Sequence, residues 1–359
     1  MIDIDVINGR HSSEQFGIAR YTNEIFKRLP EINPNTIEYP PIGRSEIIDG
    51  AIKRTVYPFI VRSKIRNDTI KHVTNQDLAF LLSLIQLHPS IVTCHDLIPV
   101  SFYHKNSLYW KLNLKGIGRA DHVITVSEFS KSEINRLTGY PENKITVIHD
   151  GVDTSRYFPK KDRAILEKFS IAPEDPVLLF VGSEEPRKNI SLVIKALCHL
   201  KKKVPGITLL KVGGTQMGGD RAMLMRLINT LNLKQNVVFT DQVPEDLLPE
   251  YYNAADIFVF PSYYEGFGLP PLEAMACGCP VISSNTTSLP EVIGDAGIYC
   301  NPDNALDLAE KIYDVLINDN LRKTMEIKGI ERAKQFTWDA AAARTLNVYL
   351  ELLLKWKVT

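Results

Sequence analysis

The sequence predicts an α/β protein built from two doubly wound, Rossmann-like domains. Its 359 residues exceed what one ordinary hydrophobic core accommodates. Short β-branched runs alternate with helical patterns, which is typical of a mainly parallel sheet covered on both faces. This alternation stops near residue 150 and restarts at residue 177. Two domains joined near residues 150–170 are therefore the simplest interpretation.

The first half of the chain opens with a strand-like segment and an amphipathic helix. Residues 2–8 are strand-like, whereas residues 17–29 place apolar side chains at helical spacing. The apolar run over residues 78–87 predicts a buried helix, because it has only half of the ~20 residues needed to cross a bilayer. Further short strands are predicted at residues 37–39, 70–74, 91–93, 123–126 and 145–148.

The second half repeats the alternation after turn-forming residues at 150–159. Strands are predicted at residues 177–181, 208–212, 237–239, 257–260 and 281–283, and helices at 190–203, 221–231, 244–253 and 272–276. A long final helix over residues 338–356 begins after Thr337, an N-cap residue type, and is expected to brace the first domain. The predicted domains are residues 1–160 and 161–336, followed by a C-terminal helix over 337–359.

Composition and charge argue against several functional classes. The 42 basic and 42 acidic residues give no net charge, which disfavours a general nucleic-acid binder. The C-x-C spacing of Cys277 and Cys279 predicts buried thiols rather than a metal site, and five scattered cysteines fit a reducing compartment. The sequence has no signal-peptide pattern at its start. We therefore expect a cytoplasmic protein, either soluble or peripheral at the inner face of the cell membrane.

A basic segment supports the peripheral alternative. Residues 44–71 hold seven Lys or Arg against three acidic residues, and Tyr57 and Phe59 lie among them. Such a surface could meet anionic lipid that carries a lipid-linked acceptor. An ordinary solvated face explains the same composition equally well.

The loop after the strand at 177–181 has the composition of an anion site. It begins with Gly182 and continues to the adjacent cations Arg187 and Lys188 at the predicted start of a helix. Backbone N–H groups, the helix dipole and two cations would converge there on a diphosphate. The alternative is a solvated basic pair. Neither the dinucleotide fingerprint nor the P-loop pattern is present.

Two glutamates bracket a stiff, glycine- and proline-rich turn in the stretch YYEGFGLPPLE. Glu265 precedes Gly266 and Gly268, which let backbone approach a ligand closely, and Glu273 is expected in the first turn of the next helix. Carboxylate oxygens accept hydrogen bonds from adjacent hydroxyls, so the pair suits a polyol, with Glu265 nearer the reacting end. The alternative for Glu273 is a residue that merely complements the helix dipole.

The first half contributes four further candidates at predicted strand ends. Gly17 opens a helix and could admit a phosphate or sugar near the backbone. His95 and Asp96 follow one strand, where titratable groups are often functional. Ser127 follows the next strand and could cap a helix or contact an acceptor.

Together these segments resemble the retaining glycosyltransferases of family four, which have the GT-B fold, from about residue 8 to the final helix. The most specific element is the E-x7-E pair within PSYYEGFGLPPLEAMACGCPVISS, followed by SLPEVIGDAG. FGIARY, HDLIP, ADHVITVSEFSK, VIHDGVD and VGSEEPRKN agree in content and order. One departure is the N-terminal loop, where the family's usual double glycine is here Phe16-Gly17. The region between Pro99 and Arg119 is also short, so acceptor contacts there are not transferred.

The resemblance implies roles for the candidate residues. Arg187 and Lys188 would neutralise the donor diphosphate, Glu273 would bind the ribose hydroxyls, and Glu265 would lie near the transferred sugar. His95 would lie near the reacting centre. The remaining donor-binding residues implied are Gly17, Gly182, Gly266, Phe267, Gly268 and Leu269, and the acceptor candidates are His95, Asp96 and Ser127.

The implied activity is transfer of a hexose, with retention, from a nucleoside diphosphate sugar to a glycan or lipid-linked acceptor. Mannose carried by GDP is the first candidate donor, and neither a cofactor nor a metal is expected. Two alternatives use the same scaffold. One is a sugar-nucleotide epimerase or phosphorylase, and the other is a non-catalytic protein that binds sugar nucleotides.

Overall fold

The computed structural model describes residues 1–9, 16–39, 46–215 and 220–358, which form two compact units. Unit 1 comprises Met1–Gly151 together with the C-terminal segment from Trp338, and unit 2 comprises Val152–Thr337. The chain therefore passes from one unit to the other after Gly151 and returns after Thr337. Each unit contains one six-stranded parallel sheet.

The sheet of unit 1 has the order β2-β1-β3-β4-β5-β6. Its strands are β1 (Ile2–Asn8), β2 (Ile32–Glu38), β3 (Ile70–Val73), β4 (Ser90–Cys94), β5 (His122–Thr125) and β6 (Ile145–Val147). Its helices are α1 (Phe16–Phe26), α2 (Glu46–Thr55), α3 (Tyr57–Lys64), α4 (Leu81–Leu84), α5 (Ile98–Ser101), α6 (Leu108–Ile117) and α7 (Glu128–Thr138). The chain leaves β1 toward one edge for β2 and then crosses back to β3, so the strand order reverses between β1 and β3.

The sheet of unit 2 has the order β12-β11-β10-β7-β8-β9. Its strands are β7 (Val177–Val181), β8 (Thr208–Val212), β9 (Val237–Asp241), β10 (Ile257–Phe260), β11 (Val281–Ser284) and β12 (Ile298–Cys300). Its helices are α8 (Ile190–Leu200), α9 (Arg221–Thr230), α10 (Leu248–Ala254), α11 (Leu269–Ala276), α12 (Leu289–Ile293), α13 (Ala305–Ile317) and α14 (Asp319–Ala333). Here the order reverses between β7 and β10, and this reversal is the place where open α/β sheets bind ligands.

The central strands of unit 2 are buried on both faces, which makes the ends of these strands rigid. All four residues of β10 and the first four of β7 are fully buried. Burying each such side chain contributes about 1.5–3 kcal/mol. The loops that follow β7 and β10 therefore start from fixed positions.

The final helix α15 (Trp338–Val358) belongs to unit 1 and packs on α1. Arg28, two residues after the end of α1, forms an ion pair of 2.7 Å with Asp339. The hydroxyl of Tyr349 lies 2.7 Å from Nδ1 of the buried His72 on β3. These contacts fix the returning chain to the core of unit 1. No helix among the described residues combines the length and apolar content needed to span a membrane.

Two elements of unit 1 differ from the prediction. Strand β2 is longer than residues 37–39 because an edge strand tolerates Pro34 and outward-facing polar side chains. The predicted helix at residues 78–87 is instead a short 3₁₀ turn, Gln76–Leu78, followed by the four-residue helix α4. Residues 78–82 are buried, so their apolar character reflects burial rather than a long helix.

The basic segment at residues 44–71 offers a smaller surface than predicted. Tyr57 is fully buried, and its hydroxyl donates to the carbonyls of Asn8 and Ile37 at 2.6 and 2.9 Å. Lys71 is also buried, whereas Phe59 is 75% exposed. The prediction that Tyr57 contributes to a lipid-facing surface is therefore wrong, because this ring fills the core beneath α3.

Candidate active site

In unit 2, the loops after β7 and β10 meet at the point where the strand order reverses. The loop after β7 contains the 3₁₀ turn Pro186–Lys188, and Asn189 then begins α8 in a left-handed conformation. The Asn189 amide donates to the carbonyls of Pro261 and Pro302 at 3.2 and 2.8 Å. The backbone N–H of Tyr263 donates to the carbonyl of Arg187 at 2.8 Å. These bonds lock the two loops together, with Arg187 and Lys188 just before the helix rather than inside it.

A glycine at the end of β8 permits the close approach of a third loop. Gly213 has φ +112°, and a Cβ placed there would lie 2.5 Å from the carbonyl oxygen of Gly182. Only glycine fits this backbone without displacing the turn that leads to the basic pair. Gly182 therefore contributes to the site through its backbone, which lies against Gly213.

Arg187, Lys188 and Glu265 form one charged cluster. The Lys188 Nζ lies 2.7 Å from Oε1 of Glu265, and Nη1 of Arg187 lies 3.1 Å from Oε2 of the same carboxylate. Glu185 accepts a second bond, at 2.9 Å, from Nε of Arg187. The sequence interpretation placed Glu265 beside the sugar and the cations beside the diphosphate. The structure shows that these side chains are direct neighbours.

Burial and the neighbouring charges shift the pKa values of this cluster. Burial lowers the pKa of Lys188, as does Arg187, while Glu265 acts in the opposite direction. Burial alone would raise the pKa of Glu265, but Lys188 and Arg187 outweigh it, and the pKa lies below its usual value. The Lys188 ammonium also stands 4.8 Å from the centre of the Phe260 ring. Lys188 is paired with Glu265 by charge, and its ammonium carries three N–H donors, so it retains capacity for an anionic ligand.

Hydroxyl groups from the loop after β11 hold the glycine-rich segment in place. The N–H of Glu265 donates to Oγ1 of Thr287 at 3.0 Å. Ser288 donates to the carbonyls of Glu265 and Phe267 at 3.0 and 2.7 Å. The Phe267 ring packs edge-on against Phe336 at 5.8 Å. The sequence analysis did not identify Thr287 or Ser288, although the run of hydroxyl residues before SLPE was the available signal.

Glu273 is a buried carboxylate in the second turn of α11. The helix begins at Leu269 after Gly268, which has φ +123°, and Pro270 and Pro271 occupy its first turn. Glu273 is 3% exposed, and its Oε2 accepts a bond of 2.7 Å from the Tyr252 hydroxyl. The prediction that it lies in the first turn is wrong. A role limited to the helix dipole is therefore disfavoured, because that effect is confined to the first turn.

A second charged network, absent from the sequence interpretation, supports the first. Lys211 on β8 is fully buried and lies 3.0 Å from Glu184, which also accepts bonds from Arg221 and from Thr215 at 2.9 Å. Burial would raise the pKa of Glu184, but the opposite effects of Arg221 and Lys211 are larger, so this pKa lies below its usual value. The network joins the ends of β7 and β8 to the start of α9, directly beside the turn that carries Arg187.

In unit 1, His95 is held at the end of β4. Its ring Nε2 lies 3.1 Å from the carbonyl of Thr74, its backbone N–H donates to Oε1 of Gln76 at 3.0 Å, and its ring packs edge-on against Tyr21 at 4.8 Å. Burial lowers its pKa to about 4, although the bond to Thr74 acts in the opposite direction. The imidazole is therefore neutral at pH 7. A neutral ring that donates from Nε2 presents Nδ1 as an acceptor.

The other unit 1 candidates have local structural contacts. Oδ1 of Asp96 accepts from the N–H of Ile98 at 3.1 Å, and Oγ of Ser127 accepts from the N–H of Ser130 at 3.1 Å. Ser127 thus caps α7, which was one of its two predicted roles. Gly17 lies in the first turn of α1, and a Cβ there would meet no atom within 4 Å in the described part of the chain. The loop before it, residues 10–15, lies outside the described residues.

Comparisons with known proteins agree with this architecture. Residues 19–156 match the family model described as Glycosyltransferase Family 4, and residues 161–332 match the one described as Glycosyl transferases group 1. The chain is 36% identical over 265 residues to the O-antigen chain mannosyltransferase B of Escherichia coli, a match that covers 72% of this chain and 68% of that protein. Several other curated relatives are matched over only about a third to a half of their length.

Solved structures show the same fold. A sucrose-phosphate synthase from Thermosynechococcus elongatus matches with a TM-score of 0.81 and 23% identity, over 99% of this chain and 100% of that chain. The Anabaena protein HepE, solved in complex with UDP and glucose, matches with a TM-score of 0.81 and 20% identity, over 97% of this chain and 99% of that chain. With two α/β units and these neighbours, the predicted GT-B fold is confirmed.

Proposed function

The chain belongs to the glycosyltransferase family described by these two family models, and we propose that it is a retaining hexosyltransferase that uses a nucleoside diphosphate sugar. Its acceptor is a hydroxyl of a glycan or of a lipid-linked glycan. Mannose from GDP-mannose is the first candidate donor, because the E. coli relative is named as a mannosyltransferase. UDP-sugars are the next candidates, since HepE was solved with UDP and glucose.

The cluster of Arg187, Lys188 and Glu265 carries this proposal. It lies at the reversal of strand order in unit 2, it is largely buried, and its two cations are adjacent in the chain. The two cations of such a site suit the negative charge of a diphosphate, and its carboxylate suits the hydroxyls of a sugar. Glu265 fixes the cations before the ligand arrives, so that little reorganisation accompanies binding.

The chemical step exchanges one bond at the anomeric carbon for another. The bond from C1 to the diphosphate oxygen breaks, and the bond from C1 to the acceptor oxygen forms on the same face. The acceptor proton passes to the departing phosphate, so no side chain acts as general base. Arg187 and Lys188 stabilise the charge that grows on the diphosphate, and one such preorganised donor contributes about 3–4 kcal/mol. His95, neutral and fixed by Thr74, supports the cation-like sugar.

Glu273 is expected to set the affinity for the nucleotide part of the donor. We expect Glu273→Gln to raise the Kd of the nucleoside diphosphate about tenfold, because a charged acceptor for the ribose hydroxyls becomes neutral. Calorimetric titration measures this directly. Tyr252→Phe serves as the comparison, because it removes the 2.7 Å bond to Glu273 but keeps the carboxylate. Equal, unchanged affinities in both variants would contradict the ribose role.

The donor and the need for a metal can be tested in one screen. Labelled GDP-, UDP-, ADP- and dTDP-sugars are incubated with the protein, and products are separated into free sugar, transferred sugar and epimerised donor. We expect hydrolysis or transfer with one nucleotide class, with little change on adding EDTA, because the cations perform the neutralisation. Epimerised donor, no reaction with any donor, or a strict metal requirement would each contradict the proposal.

A further inference from the structure

We propose that unit 1 carries an anion-binding acceptor subsite formed by Lys53, Arg54, Lys105, Tyr109 and Asp77, which takes a sugar bearing a phosphate group. This inference deepens the proposed function, on which it rests, by naming the chemical class of the acceptor. The subsite is built entirely from residues of unit 1.

The position of Asp77 is the first argument. It lies in the turn after β3, where the strand order of unit 1 reverses, which is where open α/β sheets bind ligands. The same turn holds His95, because Thr74 and Gln76 bind its ring and its backbone N–H. Asp77 is therefore one residue beyond a side chain that fixes the proposed reacting-centre histidine.

The state of the Asp77 carboxylate is the second argument. Its Oδ1 is buried and accepts no hydrogen bond from any described residue. Burial raises its pKa, although Lys53 and Lys105 act in the opposite direction. A buried acceptor without a donor is unfavourable and is found mainly where a ligand or a functional constraint explains it. A ring hydroxyl of the acceptor is a suitable donor.

Lys53 and Lys105 act electrostatically on this carboxylate without forming an ion pair with it, and Arg54 follows Lys53 in the chain. Lys53 is half-buried, and among the described residues it has no ion pair within 4 Å. Burial lowers its pKa, as does the neighbouring Arg54, while Asp77 raises it. The Arg54 guanidinium stacks on the Tyr109 ring at 4.6 Å, and Lys105 is exposed.

The balance of charge indicates the ligand. Lys53, Arg54 and Lys105 carry three positive charges against the single carboxylate of Asp77, and the Arg54 guanidinium lies over the Tyr109 ring. Such an excess favours a phosphate, and charge-assisted bonds to phosphate are among the strongest in proteins. Asp77 would disfavour a bare anion, because it repels negative charge, but it favours a phosphate with a hydroxyl beside it. A sugar phosphate, free or lipid-linked, meets both conditions.

Calorimetric titration of the full chain tests this subsite with three soluble probes: mannose 1-phosphate, mannose and inorganic phosphate. GDP or UDP is present throughout to occupy the diphosphate site, and its own Kd is recorded. We expect mannose 1-phosphate to bind at least about tenfold more tightly than either other probe. Lys53→Met and Lys105→Met should each weaken it about tenfold or more, whereas Lys111→Met, an exposed lysine of α6, should leave it unchanged.

The outcomes separate the two proposals. If neither nucleoside diphosphate binds, the proposed function fails, while the titration of mannose 1-phosphate still tests the subsite. Equal affinity for mannose and mannose 1-phosphate would overturn the subsite, as would unchanged binding in Lys105→Met, whose exposed position does not endanger folding. A parallel titration with vesicles that carry a lipid-linked mannose phosphate distinguishes a lipid-borne source of the phosphate from a soluble one.

Discussion

Replacing Lys188 by alanine is expected to lower turnover at least about a hundredfold while the protein stays folded. Lys188 is 8% exposed and its Nζ lies 2.7 Å from Glu265, so the substitution leaves a largely buried position without its cation. Removing one preorganised donor typically raises the barrier by about 3–4 kcal/mol, which corresponds to a factor of 10² to 10³. The loss should appear mainly in kcat, because charge on the diphosphate grows as the bond to C1 breaks.

A matched control comes from the helix that follows. Lys195 on α8 is exposed and makes no contact with the cluster, so Lys195→Ala should keep kcat and KM within about twofold of the parent. Steady-state kinetics with the donor identified by the screen measures both variants, and circular dichroism checks that each is folded. A folded Lys188→Ala variant with unchanged turnover would remove the diphosphate assignment.

Local periodicity was sufficient to predict two doubly wound α/β domains, whereas the GT-B fold came from the family resemblance. Strands β7, β8 and β10 agree with the predicted residues 177–181, 208–212 and 257–260, since each is a short buried run bounded by turn residues. Strand β2 was less visible, because INPNTIE is polar and contains a proline that only an edge position tolerates. Periodicity also misled at residues 78–87, where burial without a long helix gives the same apolar run.

The site was partly predictable for a different reason. The glycine- and proline-rich turn between them drew attention to Glu265 and Glu273, and adjacency after a glycine turn drew attention to Arg187 and Lys188. Contacts between distant segments were not accessible in this way. Glu265 meets Lys188 across 77 positions, and Lys211 meets Glu184 across 27, and no local pattern specifies either pair. Sheet order brings them together, because β10 and β8 both neighbour β7.

Replacing Asp150 by asparagine is expected to stabilise the protein at alkaline pH and to have little effect in acid. Asp150 follows β6, is 6% exposed, and its Oδ1 accepts no bond from any described residue. Burial raises its pKa to about 7, although Arg20 acts in the opposite direction, against an ordinary value of 3.8. The Asp150 charge also acts to raise the pKa of the buried Tyr21, after burial itself.

The direction in which stability changes with pH follows from the number of protons bound in the folded and unfolded states. Between pH 4 and 7 the folded protein holds the Asp150 proton and the unfolded chain has released it, so stability falls as pH rises through this window. Above pH 7 the folded state carries a buried, unpaired carboxylate, which is unfavourable by about 2–4 kcal/mol. Asparagine has the same shape without the charge, so Asp150→Asn should recover most of that free energy at pH 8 and almost none at pH 4.

Thermal unfolding midpoints at pH 4, 6 and 8 measure this effect. Asp68→Asn serves as the control, because Asp68 is an exposed aspartate of the same unit and its replacement should shift the midpoint only slightly at each pH. The midpoint of Asp150→Asn should rise above that of the parent by several degrees at pH 8, and the difference should shrink steadily toward pH 4. A difference that is constant across the three pH values would show that Asp150 does not titrate in this range, because only a change in its protonation can make the gain depend on pH.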